Sequence, residues 1–375
     1  MTESHDPSHL HISADDLADP SVQQRVEQLR SAAVPDLVRA VGAPGAASSS
    51  GTRPWWRLGP ITNGFAGLLG GILGALLAEV ITQPDSDSSW LGDDPKIATT
   101  VWLICIALGL GTMFAGWAGI EARSGAKFGR DLGKALPFLL GGAIVGGFIA
   151  QSVYESMQES LIERALDEAS TEAEFFQILL DGSHFPRGIA LGIAGLFIGA
   201  AVGAARMAWR PVVNGAIGGA VGGFLGGFVF DYIGEAVDSG IVSRLVALGL
   251  TGLLIGVAAG LVEEATKQHW LEIVSGGMAG KQFILYQSRT TVGSAPGCGV
   301  TLIKDPGIAG EHAALATVGG SLQATAISGV HPLLINGIAL PQQRLTDGDL
   351  LQLGSTILRY RSKSEAMPTF APPAK

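Results

Sequence analysis

Six apolar, glycine-rich stretches lie between residues 61 and 262, and no other feature constrains this chain as much. They cover residues 61–82, 98–120, 135–153, 188–207, 212–233 and 244–262. A helix needs roughly 20 apolar residues to cross a bilayer core, and each stretch has that length. Lipid offers no partner for backbone N–H and C=O groups, so a spanning segment satisfies them internally as a helix. The expected fold is therefore multi-domain: an α-helical transmembrane bundle of six spans, followed by a C-terminal all-β sandwich.

Loop charges orient the bundle. Arg53 and Arg57 precede the first span, Arg123, Lys127, Arg130 and Lys134 follow the second, and Arg206 and Arg210 follow the fourth. The other three loops are acidic, with Asp85, Asp87, Asp93 and Asp94, then eight carboxylates between Glu155 and Asp181, then Asp231, Glu235 and Asp238. Lys and Arg stay on the cytoplasmic side of a membrane, whereas acid hardly matters to that rule. The expectation is a multi-pass protein of an inner or plasma membrane with both termini cytoplasmic. Residues 1–10 are polar and read as no signal peptide, which leaves the first span as its own insertion signal. With 47% hydrophobic and 15% charged residues, the chain is too apolar for an ordinary soluble protein. A net charge of −9 argues against a nucleic-acid partner, since phosphate binding needs clustered cations. Cys105 and Cys298, one in a span and one beyond, form no disulfide framework.

The spans repeat one another. Residues 187–203 read RGIALGIAGLFIGAAVG and residues 244–260 read RLVALGLTGLLIGVAAG, with a looser copy at 107–119. Asn63-Gly64 heads the first span and Asn214-Gly215 the fifth, while GGAIVGGF in the third matches GGAVGGFLGGF in the fifth. The expected unit is a helical hairpin in three pseudo-repeated copies. Glycine is about twice as frequent as usual, at 54 residues. Glycines four apart let helix backbones approach where lipid supplies no hydrophobic drive. Gly67 and Gly71, Gly142 and Gly146, and Gly219 and Gly223 are the candidate packing positions. The alternative is a pore or transport path. Such paths carry polar groups at mid-membrane depth, and here Thr112 and Thr251 are the nearest candidates. At the outer rim, Glu79, Glu155 and Asp231 face Lys96, Arg187 and Arg244 in sequence order. They suit either a ring of ion pairs or ordinary snorkelling. Apolar spacing in residues 155–181 predicts one or two amphipathic helices on the outer surface.

Beyond the spans the pattern changes. Residues 281–286, 290–292, 300–303, 313–317, 321–326, 333–336, 350–353 and 356–360 alternate like strands. Pro296-Gly297, Asp305-Pro306-Gly307, Gly319-Gly320, Asn336-Gly337 and Asp347-Gly348 supply turns between them. Short, regularly spaced strands in such a segment predict a β-sandwich.

Residues 281–360 resemble a forkhead-associated (FHA) domain. Thr291-Val292-Gly293 resembles the family's opening turn, and Cys298 to Leu302 its Cys-Asp-Ile-x-Leu strand. His312-Ala313 matches the His-Ala of Ser-Arg-x-His-Ala, and Ile335-Asn336-Gly337 matches Val-Asn-Gly. Leu345, Gly348-Asp349 and Leu353-Gly354 match the closing pattern. The resemblance implies a phosphothreonine-peptide reader whose scaffold positions here are Gly293, His312, Asn336, Gly337, Gly348 and Asp349. The family's phosphate donors, carried over singly, fall on Ser294 for an Arg, Ala309 for a Ser, Gly310 for an Arg and His331 for an Asn. A bidentate Arg–phosphate contact has no substitute in serine, and a dianion beside Ala309 and Gly310 would lose its hydration uncompensated. Ser294, Arg289, Lys304 and His331 are the groups left from which a different anion site would be built. His312 reads as a loop-holding residue and not as a catalyst.

Residues 1–52 hold one helical patch, 21–41, beside three histidines, His5, His9 and His11, and a Gly/Ala/Ser linker. The domain expectation is 1–52 as a largely disordered N-terminal segment and 53–266 as the bundle. Residues 267–363 form the FHA-like domain and 364–375 a tail. No nucleophile–base pair, phosphate loop, metal site or cofactor site is expected, so the chain reads as no enzyme. The partners expected are the lipid bilayer and a cytoplasmic protein or peptide, with a homo-oligomer possible. The leading reading is a membrane scaffold or signalling adaptor. The alternatives are a small channel or transporter regulated by its FHA-like domain, and a genuine phosphothreonine reader.

Overall fold

The structure, a computed structural model, describes residues 55–82, 95–236, 240–303, 305–319 and 321–363. The N-terminal helical patch, its histidines, the linker, the first acidic loop, Lys304 and the C-terminal tail lie outside these residues.

Six helices form the first domain: α1 (Gly59–Thr82), α2 (Pro95–Glu121), α3 (Gly125–Glu168), α4 (Glu172–Ala204), α5 (Trp209–Ala236) and α6 (Gly240–Thr266). All six are long and apolar enough to cross a membrane. Each packs on the next in sequence and α6 packs back on α1, which closes the helices into a ring. Two helices outrun the spans read from hydropathy. Ser124 caps α3, its hydroxyl accepting from Lys127 N at 3.2 Å, so the helix starts in the basic loop. Thr171 caps α4 in the same way by accepting from Glu174 N, while the Glu174 carboxylate accepts from Ser170 N at 2.9 Å. The expected outer amphipathic helices are thus the continuous ends of α3 and α4, meeting at residues 169–171.

Glycines sit where the helices touch. A methyl at Gly67 would overlap the Gly252 carbonyl, one at Gly71 the Leu248 carbonyl, and one at Gly219 the Gly195 carbonyl. Gly223 meets Leu191 O, whereas Gly142 and Gly146 meet Ala201 and Phe197. The tightest approaches are reciprocal, Gly199 against Gly215 between α4 and α5 and, equally close, Gly67 against Gly252 between α1 and α6. Thr251 spends its hydroxyl on Ala247 O of its own helix at 2.8 Å. At one end of the ring Arg244 pairs with Glu79, its Nη2 lying 3.1 Å from Oε2. Arg187 there lies over the Phe230 ring and 3.4 Å from the Tyr154 hydroxyl. The side chains of Lys96 and Asp231 are outside the described set.

Eleven strands follow among the described residues: β1 (His269–Ser275), β2 (Gln282–Ile284), β3 (Arg289–Gly293), β4 (Val300–Thr301), β5 (Ala313–Val318), β6 (Ser321–Ala326), β7 (Leu334–Ile335), β8 (Ile338–Ala339), β9 (Gln342–Arg344), β10 (Leu350–Leu353) and β11 (Thr356–Ser362). They form two sheets, ordered β2-β1-β11-β10-β7-β8 and β4-β3-β5-β6-β9. Every pairing is antiparallel except β3 with β4. The inner faces meet in one core that includes Leu271, Ile273, Leu302, Leu315, Leu351 and Leu358. The strand pattern begins earlier than the sequence suggests: β1 starts at His269 and pairs the length of β11.

Candidate interaction loops and their junction with the bundle

Three connections meet at one end of the sandwich: β3–β4, β4–β5 and β6–β7. Gly293 ends β3 so close to the Gly310 carbonyl that a side chain there would collide with it. That approach lets Ser294 N donate to Ala309 O and Ala295 N to Gly310 O, each at 3.0 Å. Ser294, Ala309 and Gly310 are therefore neighbours. The Ser294 hydroxyl donates to Ile308 O at 3.1 Å, which engages its single proton. Gly310 and Glu311 are exposed, so a carboxylate flanks the position where an FHA domain carries a cation.

His312 holds the loops together. It is 0% exposed. Its Nδ1 accepts from Ala309 N at 3.3 Å, and its Nε2 lies 3.2 Å from Pro332 O. An accepting Nδ1 leaves Nε2–H as the donor, so the ring is neutral. Burial pushes its pKa below the ordinary histidine value, the Pro332 carbonyl opposing and His331 adding to the shift. His331 stands with its ring 6.0 Å from that of His312, its backbone N donating to Ser328 Oγ at 3.1 Å. Val330 beside it is 85% exposed.

The remaining scaffold positions form turns. Asn336, at φ 52°, donates from Nδ2 to Asp349 Oδ1 at 2.9 Å and accepts from Leu350 N at 3.0 Å. Gly337 and Gly348 both take positive φ, at 83° and 94°. Asp349 also accepts from Thr346 N at 2.7 Å. One clasp went unread in the sequence. Asp305 accepts from Gly307 N, Ser355 N, Ser355 Oγ and Thr356 Oγ1 at 2.8–3.0 Å. Burial opposes its ionisation, yet these bonds hold the carboxyl below the usual range. Burial raises the Cys298 thiol, so it stays protonated. Among the described residues no three His, Cys, Asp or Glu side chains converge as a metal site.

The second surface is the junction with the bundle. The Tyr286 hydroxyl, between β2 and β3, donates to Glu263 Oε1 of α6 at 2.6 Å. Arg206, just after α4, pairs with the same oxygen at 2.7 Å and lies 5.8 Å from the Tyr286 ring centre. Asn63 donates to Glu263 Oε2 at 3.3 Å. Burial and the neighbouring carboxylate push the Tyr286 phenol above its ordinary pKa, so it remains a donor. Gln287 Nε2 donates to Arg206 O at 3.0 Å, and Lys281 pairs with Glu121 at 2.7 Å. Arg57 donates to Ala279 O and Met278 O. Arg130 of α3 reaches the β3–β4 loop itself, lying where a side chain on Gly297 would stand. No sequence signal linked Tyr286 to Glu263 or Arg130 to this loop, because each pair joins separate domains.

Residues 272–364 match the family model described as the cytoplasmic domain of an inner membrane component of T3SS. No curated protein matches the chain. Solved structures similar to it include the cytoplasmic domain of the T3SS sorting platform protein PscD from P. aeruginosa, at 20% identity, 29% of this chain, 91% of that chain and TM-score 0.24. The FHA domain of CT664 protein from Chlamydia trachomatis matches at 20% identity over 26% of this chain and all of that one, with TM-score 0.24. The FhaA FHA domain, solved with the intracellular domain of Rv3910, matches at 19% identity over 25% and 99%, with TM-score 0.23. The loop landmarks, the two-sheet topology and the family match agree: behind six helices able to cross a membrane, this chain carries an FHA-like interaction domain.

Proposed function

We propose that this chain is an integral inner-membrane adaptor that presents its FHA-like domain to a protein partner on the cytoplasmic side. The match to the cytoplasmic domain of an inner-membrane secretion component supports that side and that compartment. It also favours a scaffolding role over catalysis. The basic loops around α2–α3 and α4–α5 agree, because they lie at the domain's end of the bundle. Triplication of one hairpin remains part of this reading, supported by the like Gly–backbone contacts of α4 with α5 and α6 with α1.

One observation carries the proposal: the loop scaffold is intact while its anion donors are gone. The Ser294 hydroxyl donates its hydrogen bond to Ile308 O, Ala309 and Gly310 carry no donor side chain, and Glu311 adds negative charge. A partner bound there is recognised through backbone groups, Val330, His331 and the adjoining Arg130, without need of a phosphate. The experiment is a titration of full-length protein in nanodiscs with phosphothreonine peptide libraries and their unphosphorylated twins. Equal binding is expected. A phosphate-dependent gain of tenfold or more replaces the adaptor with a true phosphothreonine reader. A pull-down that recovers nothing above a Val330→Glu/His331→Glu control removes the loops as the binding surface.

A second reading, a small transporter regulated by the domain, is favoured by a cavity at the junction. Liposome flux unchanged by the protein removes it.

A further inference from the structure

Part of the sandwich surface carries no charge. Residues 312–343 include no Asp, Glu, Lys or Arg, in a chain where 15% of residues are charged. Backbone bonds gather the exposed part of that stretch. Ala326 N donates to Pro341 O at 2.8 Å, Leu340 N donates to Leu333 O at 3.3 Å, and β7 pairs with β8. Ile327, Val330, Pro332, Ile338 and Pro341 are exposed on these joined segments, Val330 at 85% and Ile338 at 60%. An apolar side chain exposed singly needs no explanation, whereas a group of them with no charge among it marks a surface that something covers.

A segment that fits lies on the same chain. Arg57 donates to Met278 O and Ala279 O of the β1–β2 turn, so the residues before Trp55 start out beside the sandwich. Within them Val22, Val26, Leu29, Leu37 and Val41 recur at helical spacing, with Pro35 dividing the run. The joint between that run and Trp55, residues 42–54, is rich in Gly, Ala and Ser. A flexible joint of that length spans about 20 Å on average and about 45 Å at full stretch. A domain the size of the sandwich is about 30 Å across, so its uncharged surface is within reach. An uncharged surface asks of its occupant only an apolar face, which this run supplies.

We propose that residues 21–41 dock their apolar stripe on the Ile327, Val330 and Ile338 surface of their own sandwich, in the manner of an amphipathic helix laid on an apolar patch. The joint holds the segment at an effective concentration on the order of millimolar, so a weak contact stays formed. Where the adaptor reading holds, the segment covers Val330 and has to be displaced before a partner is captured. The docking itself does not rest on that reading. Its test needs no partner, so either can fail alone.

The test irradiates full-length protein in nanodiscs with the photoreactive residue benzoylphenylalanine in place of Leu29, and maps the adducts by mass spectrometry. The expected result is adducts within one chain at residues 326–341, reduced several-fold by Val330→Glu/Ile338→Glu. Both positions are exposed, and an unchanged melting temperature checks that this variant folds. A second readout is backbone amide exchange over residues 327–340. It should speed up several-fold when residues 1–41 are deleted, and also in Leu29→Asp/Leu37→Asp, which keeps the chain length. Adducts confined to lipid, adducts that join two chains, or adducts elsewhere on the sandwich overturn the proposal. So do adducts undiminished in the folded double-glutamate variant, or exchange unchanged by both N-terminal variants.

Discussion

The bundle and the sandwich fill their interiors with different material. The helices bury Ala66, Ala75, Ala78, Ala107 and Ala143 beside glycine, whereas the sandwich buries Leu271, Leu302, Leu315, Leu351 and Leu358. In water, covering a leucine is itself the driving force, worth about 1.5–3 kcal/mol. In lipid that gain vanishes, and helices hold by backbone proximity, which only the smallest residues permit. Two solvents have selected two packing rules within one chain.

The sharpest way to break that contrast is to enlarge one glycine. Gly199→Leu would drive a side chain into the Gly215 carbonyl. It should cost more than about 4 kcal/mol and remove monodisperse protein from size-exclusion profiles. Gly129→Ala, with nothing within 4 Å of the new methyl, should be neutral or gain up to about 1 kcal/mol in helix propensity. Equal tolerance at both positions ends the distinction. In the sandwich the order reverses, and shrinking hurts: Leu358→Ala, at a fully buried site, should cost about 2–5 kcal/mol in thermal or denaturant unfolding.

Next in size is His312→Ala. It strands Ala309 N–H and Pro332 C=O, for about 1–3 kcal/mol, without disturbing the bundle. The same histidine makes the sandwich acid-sensitive. Its folded pKa lies below the unfolded value of about 6.5, so the folded state binds fewer protons and stability rises with pH through that window. The contribution is complete above about pH 6.5 and lost as pH falls toward the depressed pKa. Melting temperature compared at pH 7.5 and 5.5 should fall more for the wild type than for His312→Gln. His269, also depressed by burial, titrates in the same direction and sets the residual slope. The smallest effect belongs to the exposed edge of the junction. Lys281→Ala removes the pair with Glu121 and should change stability by less than about 1 kcal/mol.

Both architectures were legible in the sequence because each writes its period plainly: long glycine-spaced apolar runs, then short alternating strands with Asn-Gly and Asp-Gly turns. What was missed has local causes. β1 follows α6 after only Lys267 and Gln268, with no Gly or Pro before it to announce a strand, so residues 269–275 were placed in the second domain without a strand of their own. β8 and β9 are two and three residues long and neither contains a buried residue. The expected site positions Ser294, Ala309, Gly310 and His331 came from the family pattern and not from spacing or composition. The Asp305 clasp and the Tyr286–Glu263–Arg206 contact were not, because hydrogen bonds between distant segments leave no spacing in one chain. Among the charges at the helix ends, sequence order named the candidates, and only coordinates could pair Glu79 with Arg244.

The junction of two residues between α6 and β1 has a kinetic meaning. It keeps Tyr286, Gln287 and Lys281 near their counterparts at an effective concentration of order millimolar or above, so each contact can be individually feeble and still stay formed. A macromolecule competing for that face must outbid a tethered neighbour that never diffuses away, and raising its own abundance is then a less efficient lever than bending the tether.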